Sequence, residues 1–268
     1  MNEHIAREKD FHGTPWDSVH EGYFSDPSAA APLVREILEA AGRSKPDVIV
    51  DLGGGTGSLL ACVREAGVGT DVSLLDLDDS PEQLGAARAK GFVCIRGSLD
   101  SFSRNDVIPG SGVCLFIMRS VLHYFGKDGL RPVLRHIRDQ AIPGEYFVHQ
   151  TASFDRDQDA ECLNSLYLMM GTRKWYPTVA SLRRCLSESG WNVAEICPAP
   201  TLRLAGRDLA QRYHLGQEDI DRIRGLLPRG PGVSEEIFRR TPEGFTASLH
   251  YRIYVCKAEG RGRGGRFK

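Results

Sequence analysis

Asp51 ends the β-branched run Val48-Ile49-Val50, and Gly53, Gly54, Gly55 and Gly57 follow it closely. An acid ahead of a glycine turn is suited to holding a polar ligand that lies against bare backbone. The helical pattern Ser58 to Arg64 comes next. Strand, glycine turn and helix is the layout of a nucleotide-binding crevice in a doubly wound sheet. A dinucleotide fingerprint would put a further glycine at position 58, where Ser58 stands. Asp76 and Asp78 alternate on one face at the end of a second apolar run, where a carboxylate can accept both hydroxyls of a ribose. Two histidines could take a proton: His123 after the fourth apolar run and His149 near the end of the fifth. An imidazole with a pKa of about 6.5 is mostly neutral at pH 7 and suits that role.

The spacing acid-x-Gly-x-Gly-x-Gly (Asp51, Gly53, Gly55, Gly57) resembles the first motif of class I S-adenosylmethionine-dependent methyltransferases. The stretch Gly97 to Phe102, then Ile108-Pro109, then Leu115 to Phe125 is similar to the small-molecule O-methyltransferases of the caffeate and hydroxyindole type. The resemblance implies S-adenosylmethionine as cofactor. Asp51 and the glycines Gly53, Gly54, Gly55 and Gly57 would hold its methionine part, Asp76 or Asp78 its ribose, and Ser98 and Leu99 its adenine. Arg119 would touch it from the end of strand four. The resemblance also implies His123 as the base that deprotonates the acceptor, with His149 the next candidate, and a small-molecule acceptor methylated at oxygen. Two departures stand out. Tyr124 and Phe125 replace the family's acid and tryptophan, and strand five ends Val148-His149-Gln150 in place of a carboxylate. Met118-Arg119-Ser120 stands where catechol-type relatives hold magnesium, so no metal is expected. The rival readings are a non-catalytic cofactor-binding regulator and a nicotinamide-dependent oxidoreductase, the latter opposed by Ser58.

The elements that must position these residues alternate along the chain. Strands are predicted over the apolar run that ends at Asp51, at 72–77, 92–96, 113–118 and 146–151, and two last strands at 191–197 and 248–255. Helices are predicted over 27–42, from Ser80, and over 127–140, 157–170 and 178–189. Ser80 as N-cap, Pro81 at the first helical position and Gln83 form a helix start. Strand–helix alternation implies a Rossmann-like α/β fold, a doubly wound, seven-stranded, mostly parallel sheet with helical cap segments. The expected division is an N-terminal arm (1–46), a core (47–199), a helical insertion (200–245), a last core strand (246–258) and a basic tail (259–268). Trp16 and Tyr23 in the arm, and Tyr167, Met170 and Trp175 after strand five, are the residues expected to wall the acceptor.

Composition is that of an ordinary globular chain: 268 residues, 41% hydrophobic, 26% charged, with a formal net charge of −1. That charge gives no general pull toward nucleic acid, and no partner of that kind is expected. No apolar run is long enough to cross a bilayer, and no apolar signal core opens the chain, so a cytoplasmic location is expected. The 7 cysteines form no Cys-x-x-Cys pair and read as reduced thiols.

Overall fold

The computed structural model describes residues 22–108, 110–228 and 231–260. Helix α1 (Pro27–Ser44) starts where Asp26 accepts from the Ser28 N–H at 2.8 Å, with Pro27 in the first turn. Strand β1 (Val48–Leu52) leads through the glycine turn into α2 (Ser58–Glu65). Then come β2 (Ser73–Asp78), α3 (Pro81–Ala89), β3 (Val93–Arg96), the short α4 (Arg104–Val107) and β4 (Cys114–Arg119). Ser80 caps α3 as its sequence requires. A 3₁₀ turn (Leu122–Phe125) precedes α5 (Gly126–Gln140) and β5 (Tyr146–Ala152). Helices α6 (Asp157–Met169) and α7 (Val179–Glu188) and strand β6 (Trp191–Pro198) follow.

These strands and β10 (Tyr251–Ala258) form one seven-stranded sheet in the order β3-β2-β1-β4-β5-β10-β6. The β1 pairings with β2 and β4, and those of β2 with β3 and β4 with β5, are parallel. β10 runs antiparallel to both its neighbours. The strand order reverses beside β1, so the crevice lies outside the carboxyl ends of β1 and β4. One face of the sheet packs Ile49, Leu115, Ile117, Val148, Ile253 and Val255 against Leu33, Val34 and Ile37 of α1 and Leu59, Leu60 and Val63 of α2. The other packs Val50, Phe116, Phe147 and Tyr254 against Leu130, Val133, Leu134 and Ile137 of α5 and Leu182 and Leu186 of α7. Each such aliphatic side chain contributes about 1.5–3 kcal/mol by burial.

Three expectations need correction. The arm read over 1–46 contains α1, which is a layer of the core, because its apolar stripe covers β4, β5 and β10. The last strand starts at Tyr251 rather than Ser248, since Ser248 and Leu249 belong to another sheet. The insertion is not helical only. It holds β7 (Leu202–Ala205), α8 (Gly206–Tyr213), α9 (Gln217–Leu226), β8 (Phe238–Thr241) and β9 (Gly244–Leu249). The three strands pair antiparallel in the order β7-β9-β8. Leu202, Leu204, Phe245, Ala247 and Leu249 alternate inward and share a core with Leu163, Leu166 and Tyr167 of α6. Residues 261–268, most of the basic tail, lie outside the described residues. Among the described residues no helix is long and apolar enough to cross a membrane, and no two cysteines are joined.

The end of the sheet away from the crevice is tied by Glu145, which is 1% exposed. Its carboxylate accepts from Arg104 at 2.7 and 2.8 Å, from the Cys114 N–H at 2.6 Å and from the Ile142 N–H at 2.8 Å. Removing one side of such a pair leaves a buried, uncompensated charge. Glu145→Ala should therefore cost roughly 3–5 kcal/mol in urea unfolding. Ligand affinity of the folded fraction should not change, because the crevice is at the opposite strand ends.

Candidate active site

The crevice holds a cavity of about 1490 Å³. Its floor is the glycine turn. Gly53, Gly55 and Gly57 have φ of 75°, 64° and 73°, a conformation that side chains disfavour. The turn is pinned to β2 from both sides: the Gly53 N–H donates to Leu77 O at 2.7 Å, and the Gly55 N–H to Asp78 Oδ2 at 3.1 Å. The second Asp78 oxygen accepts from the Ser80 N–H at 2.8 Å. Asp78 thus joins the turn to the start of α3 while facing the cavity.

Asp51 and Asp76 are register partners in the β1–β2 ladder. Both are buried, and their carboxylate oxygens have no hydrogen-bond donor in bonding geometry among the described residues. Burial first, and Asp78 second, raise the Asp51 pKa well above the usual carboxylate range. Burial, then Asp51 and Asp78, do the same to Asp76. Asp51 lines the cavity and Asp76 sits behind it.

Of the residues expected at the cofactor, Asp51, Gly53, Gly54, Gly55, Asp78, Ser98, Leu99 and Arg119 line the cavity. Gly57 and Asp76 do not. Gly57 serves packing, since a Cβ there would meet the Phe92 ring at 2.8 Å. The Ser98 hydroxyl donates to Asp100 at 2.6 Å. Arg119 donates to the carbonyls of Phe24 at 3.0 Å and Tyr23 at 3.2 Å, with its guanidinium 5.4 Å from each ring. It therefore fastens residues 23 and 24 over the strand ends. Its Nε is buried without a partner among the described residues. Ser120, next to it, has a φ of 60° and bonds the buried Tyr251 hydroxyl at 2.6 Å.

The histidines lie elsewhere than the sequence implies. β5 runs on to Ala152, so His149 is inside the sheet rather than at its edge. It is fully buried, stacked on Tyr254 at 5.0 Å and Phe147 at 4.6 Å, with Nδ1 bonded to Thr151 Oγ1 at 2.8 Å. Burial pushes its ring down to about 3. It is a neutral core residue and does not line the cavity. His123 is also buried and does not line it. Its ring lies tilted against Tyr124 at 4.1 Å and stacks on Tyr176 at 5.2 Å, and its carbonyl accepts from the Trp175 N–H at 3.0 Å.

The far end of the cavity is built from the 3₁₀ turn and the segment 172–175. Tyr124, Phe125, Asn164, Leu168, Lys174 and Trp175 line it. Asn164 locks this segment in place, exchanging bonds with the Tyr176 N–H at 2.7 Å and carbonyl at 2.9 Å. Of the residues expected to wall the acceptor, Trp175 lines the cavity. Tyr167 and Met170 are buried in the core shared with the insertion, and Tyr23 is turned to Tyr251 and Pro200, while Phe24 faces the cavity. Trp16 lies outside the described residues. Tyr124, Asn164 and Lys174 are site residues that no periodic signal in the sequence announces. The described residues contain one group able to present three metal-ligand atoms, Glu36, Glu195 and Cys197, on α1 and β6 away from the cavity.

The sequence matches a family described as "Methyltransferase domain" over residues 26–196. It is 26% identical over 160 residues to O-demethylpuromycin-O-methyltransferase of Streptomyces alboniger. That match covers 58% of this chain and 42% of the relative, so it spans less than half of the relative's length. Among solved structures, the fold is similar to the YcgJ protein of Bacillus subtilis, with a TM-score of 0.64 at 14% identity, covering 86% of this chain and 100% of that one. It is also similar to magnesium protoporphyrin IX methyltransferase of Synechocystis with bound SAH, with a TM-score of 0.54 at 13% identity, covering 95% and 94%.

The paired carboxyls make stability depend on pH. In the folded chain each holds its proton to a higher pH than in the unfolded chain. Their contribution is full below the unfolded value near 4 and is lost as pH rises through the raised folded values. Unfolding free energy measured in urea should therefore fall between about pH 5 and 9. Asp76→Asn should flatten that fall and raise stability at the alkaline end.

Proposed function

The chain belongs to the methyltransferase-domain family, and from that premise we propose that it moves a methyl group from S-adenosylmethionine to a small-molecule acceptor, at oxygen. The observation that carries this reading is one continuous cavity with two unlike ends. A bare-backbone turn with the buried Asp51 carboxyl, which has no donor among the described residues, forms one, and a group of aromatic side chains forms the other.

The first end fits the cofactor. Asp51 has carboxylate oxygens facing the cavity without donors, which suits an ammonium group. Gly54 passes directly against the acids, so a Cβ there would lie 2.7 Å from Asp76 Oδ1 and 2.8 Å from Asp51 Oδ2 and would push Asp51 out of place. Asp78 would accept from the ribose, and Leu99 would pack against the adenine. The chemistry this cofactor supplies when bound is an electrophilic methyl on a sulfonium centre, open to in-line displacement. The chain's own part is to align and to exclude water. Phe24, Tyr124, Phe125 and Trp175 close the far end with apolar surface. Among the described residues no histidine lines the cavity, and the reading asks alignment to supply most of the rate.

Two measurements test the reading. Calorimetry should show S-adenosylhomocysteine binding and no NADH binding. Gly54→Ala should weaken the former about tenfold or more, with circular dichroism near that of the parent. NADH binding without S-adenosylhomocysteine binding would sink the assignment.

His123→Ala, which opens a hole between Tyr124 and Tyr176, should lower thermal stability and keep the rate per folded molecule. A fall of about 10²–10⁴ in that rate, shrinking as pH rises, would restore the base role instead.

A further inference from the structure

The far end of the cavity leaves apolar surface in water. Phe24, Val121, Tyr124, Phe125 and Trp175 line it, and each is only half-buried. Leu168 carries this surface to the mouth. At 70% it is the most exposed large apolar side chain among the described residues. The other exposed ones, Val93, Ile142 and Leu226, do not line the cavity. Single exposed apolar residues are ordinary, but one that shares a cavity with further apolar walls marks a surface that a ligand covers. The helix sets this position. Leu163, Leu166 and Tyr167 of α6 face the core shared with the insertion, whereas Asn164 and Leu168, four residues apart, share the face that lines the cavity. The Asn164 amide is turned to the Tyr176 backbone. Lys127, Asp128 and Arg173 of the same rim are exposed and keep their charges in water. Space points the same way. The cavity measures about 1490 Å³. Single-ligand pockets run to about 300–1,000 Å³, so a nucleoside-sized cofactor at the glycine turn leaves about 500 Å³ or more. An acceptor of one ring fills only a fraction of that.

We infer that the acceptor is an extended multi-ring molecule whose apolar body lies along Tyr124 and Trp175 and reaches Leu168 at the mouth. The inference rests on the methyl-transfer reading for naming this end the acceptor end, and it fixes the acceptor's size and polarity, which that reading leaves open. Leu168 is then a specificity-determining residue. Covering it stabilises complexes of acceptors long enough to reach the mouth and adds nothing for shorter ones.

The test uses N-phenyl-1-naphthylamine, a neutral multi-ring probe whose fluorescence rises out of water, on the full chain with S-adenosylhomocysteine in excess. The probe should bind saturably, one per chain, with a dissociation constant below about 50 μM, and its one-ring counterpart aniline should compete about 100-fold or more weakly. Leu168→Lys should weaken the probe about tenfold or more and change the aniline constant less than about twofold. Leu168→Asn should weaken it too, without an added charge. Leu226→Lys, at an exposed leucine outside the cavity, should leave the probe's affinity as it was. Circular dichroism checks that each variant is folded. Absence of saturable binding, aniline binding as tight as the probe, or an affinity unchanged in both Leu168 variants overturns the inference. So does a loss equalled in Leu226→Lys. A dimer that Leu168→Lys dissociates also overturns it, because the leucine then covers a contact between copies. Calorimetry with S-adenosylhomocysteine separates this from the parent reading. Binding of that ligand without Leu168-dependent probe binding removes the extended acceptor alone. Leu168-dependent probe binding without it supports the apolar seat and removes methyl transfer.

Discussion

Two carboxylates in register on neighbouring parallel strands, both buried and neither given a donor in bonding geometry among the described residues, oppose folding. Much of the crevice can be understood from that pair. Asp51 and Asp76 end their strands where the glycine turn crosses them, and Gly54 passes so close that no side chain fits above them. The turn keeps its shape through the Gly53 and Gly55 N–H bonds to β2, so the acids are not relieved by the loop collapsing onto them. Such a site is held open by its surroundings. The rest of the sheet, buried on both faces, supplies the free energy that an arrangement of this kind costs.

The cavity's far end depends on a different device. The segment 172–175 has no regular structure, yet it is fixed at both sides. The His123 carbonyl takes the Trp175 N–H, and Asn164 of α6 takes both polar backbone groups of Tyr176. Gly126 allows the 3₁₀ turn to come close, since a Cβ there would meet the Arg173 carbonyl at 3.3 Å. The small sheet then packs behind α6 and brings Tyr213 to Lys174. Core, turn and insertion therefore meet at one ammonium group.

The core elements were legible because their signals are local. The apolar runs of β1, β4 and β5 and the start of α3 at Ser80-Pro81 depend on neighbours in sequence, and so does the acid-glycine motif. What could not be read depends on distant partners. Lys174 is buried by Tyr213, and nothing around position 174 announces it. His149 reads from the sequence as a residue near the carboxyl end of strand five, but β10 pairs with β5 through Ala152 and encloses it. The insertion's strands were hidden by brevity: β7 and β8 span four residues each, and Arg239 and Arg240 face outward in β8. The inward alternation of Phe245, Ala247 and Leu249 was nonetheless present in the sequence.

The position of His123 shows that a motif can persist in sequence while its side chain lies outside the cavity. A histidine after strand four can act as a base only if its ring faces the acceptor. Here the following tyrosine lines the cavity, and the histidine ring lies tilted against Tyr124 and stacked on Tyr176. The two replacements in the sequence, Tyr124 and Phe125, both line the cavity, so they add apolar wall where an acid and an indole would have stood. Tyr124 also supplies one of the rings around the Lys174 ammonium, so a single residue of the 3₁₀ turn touches the His123 ring, the Lys174 ammonium and the cavity.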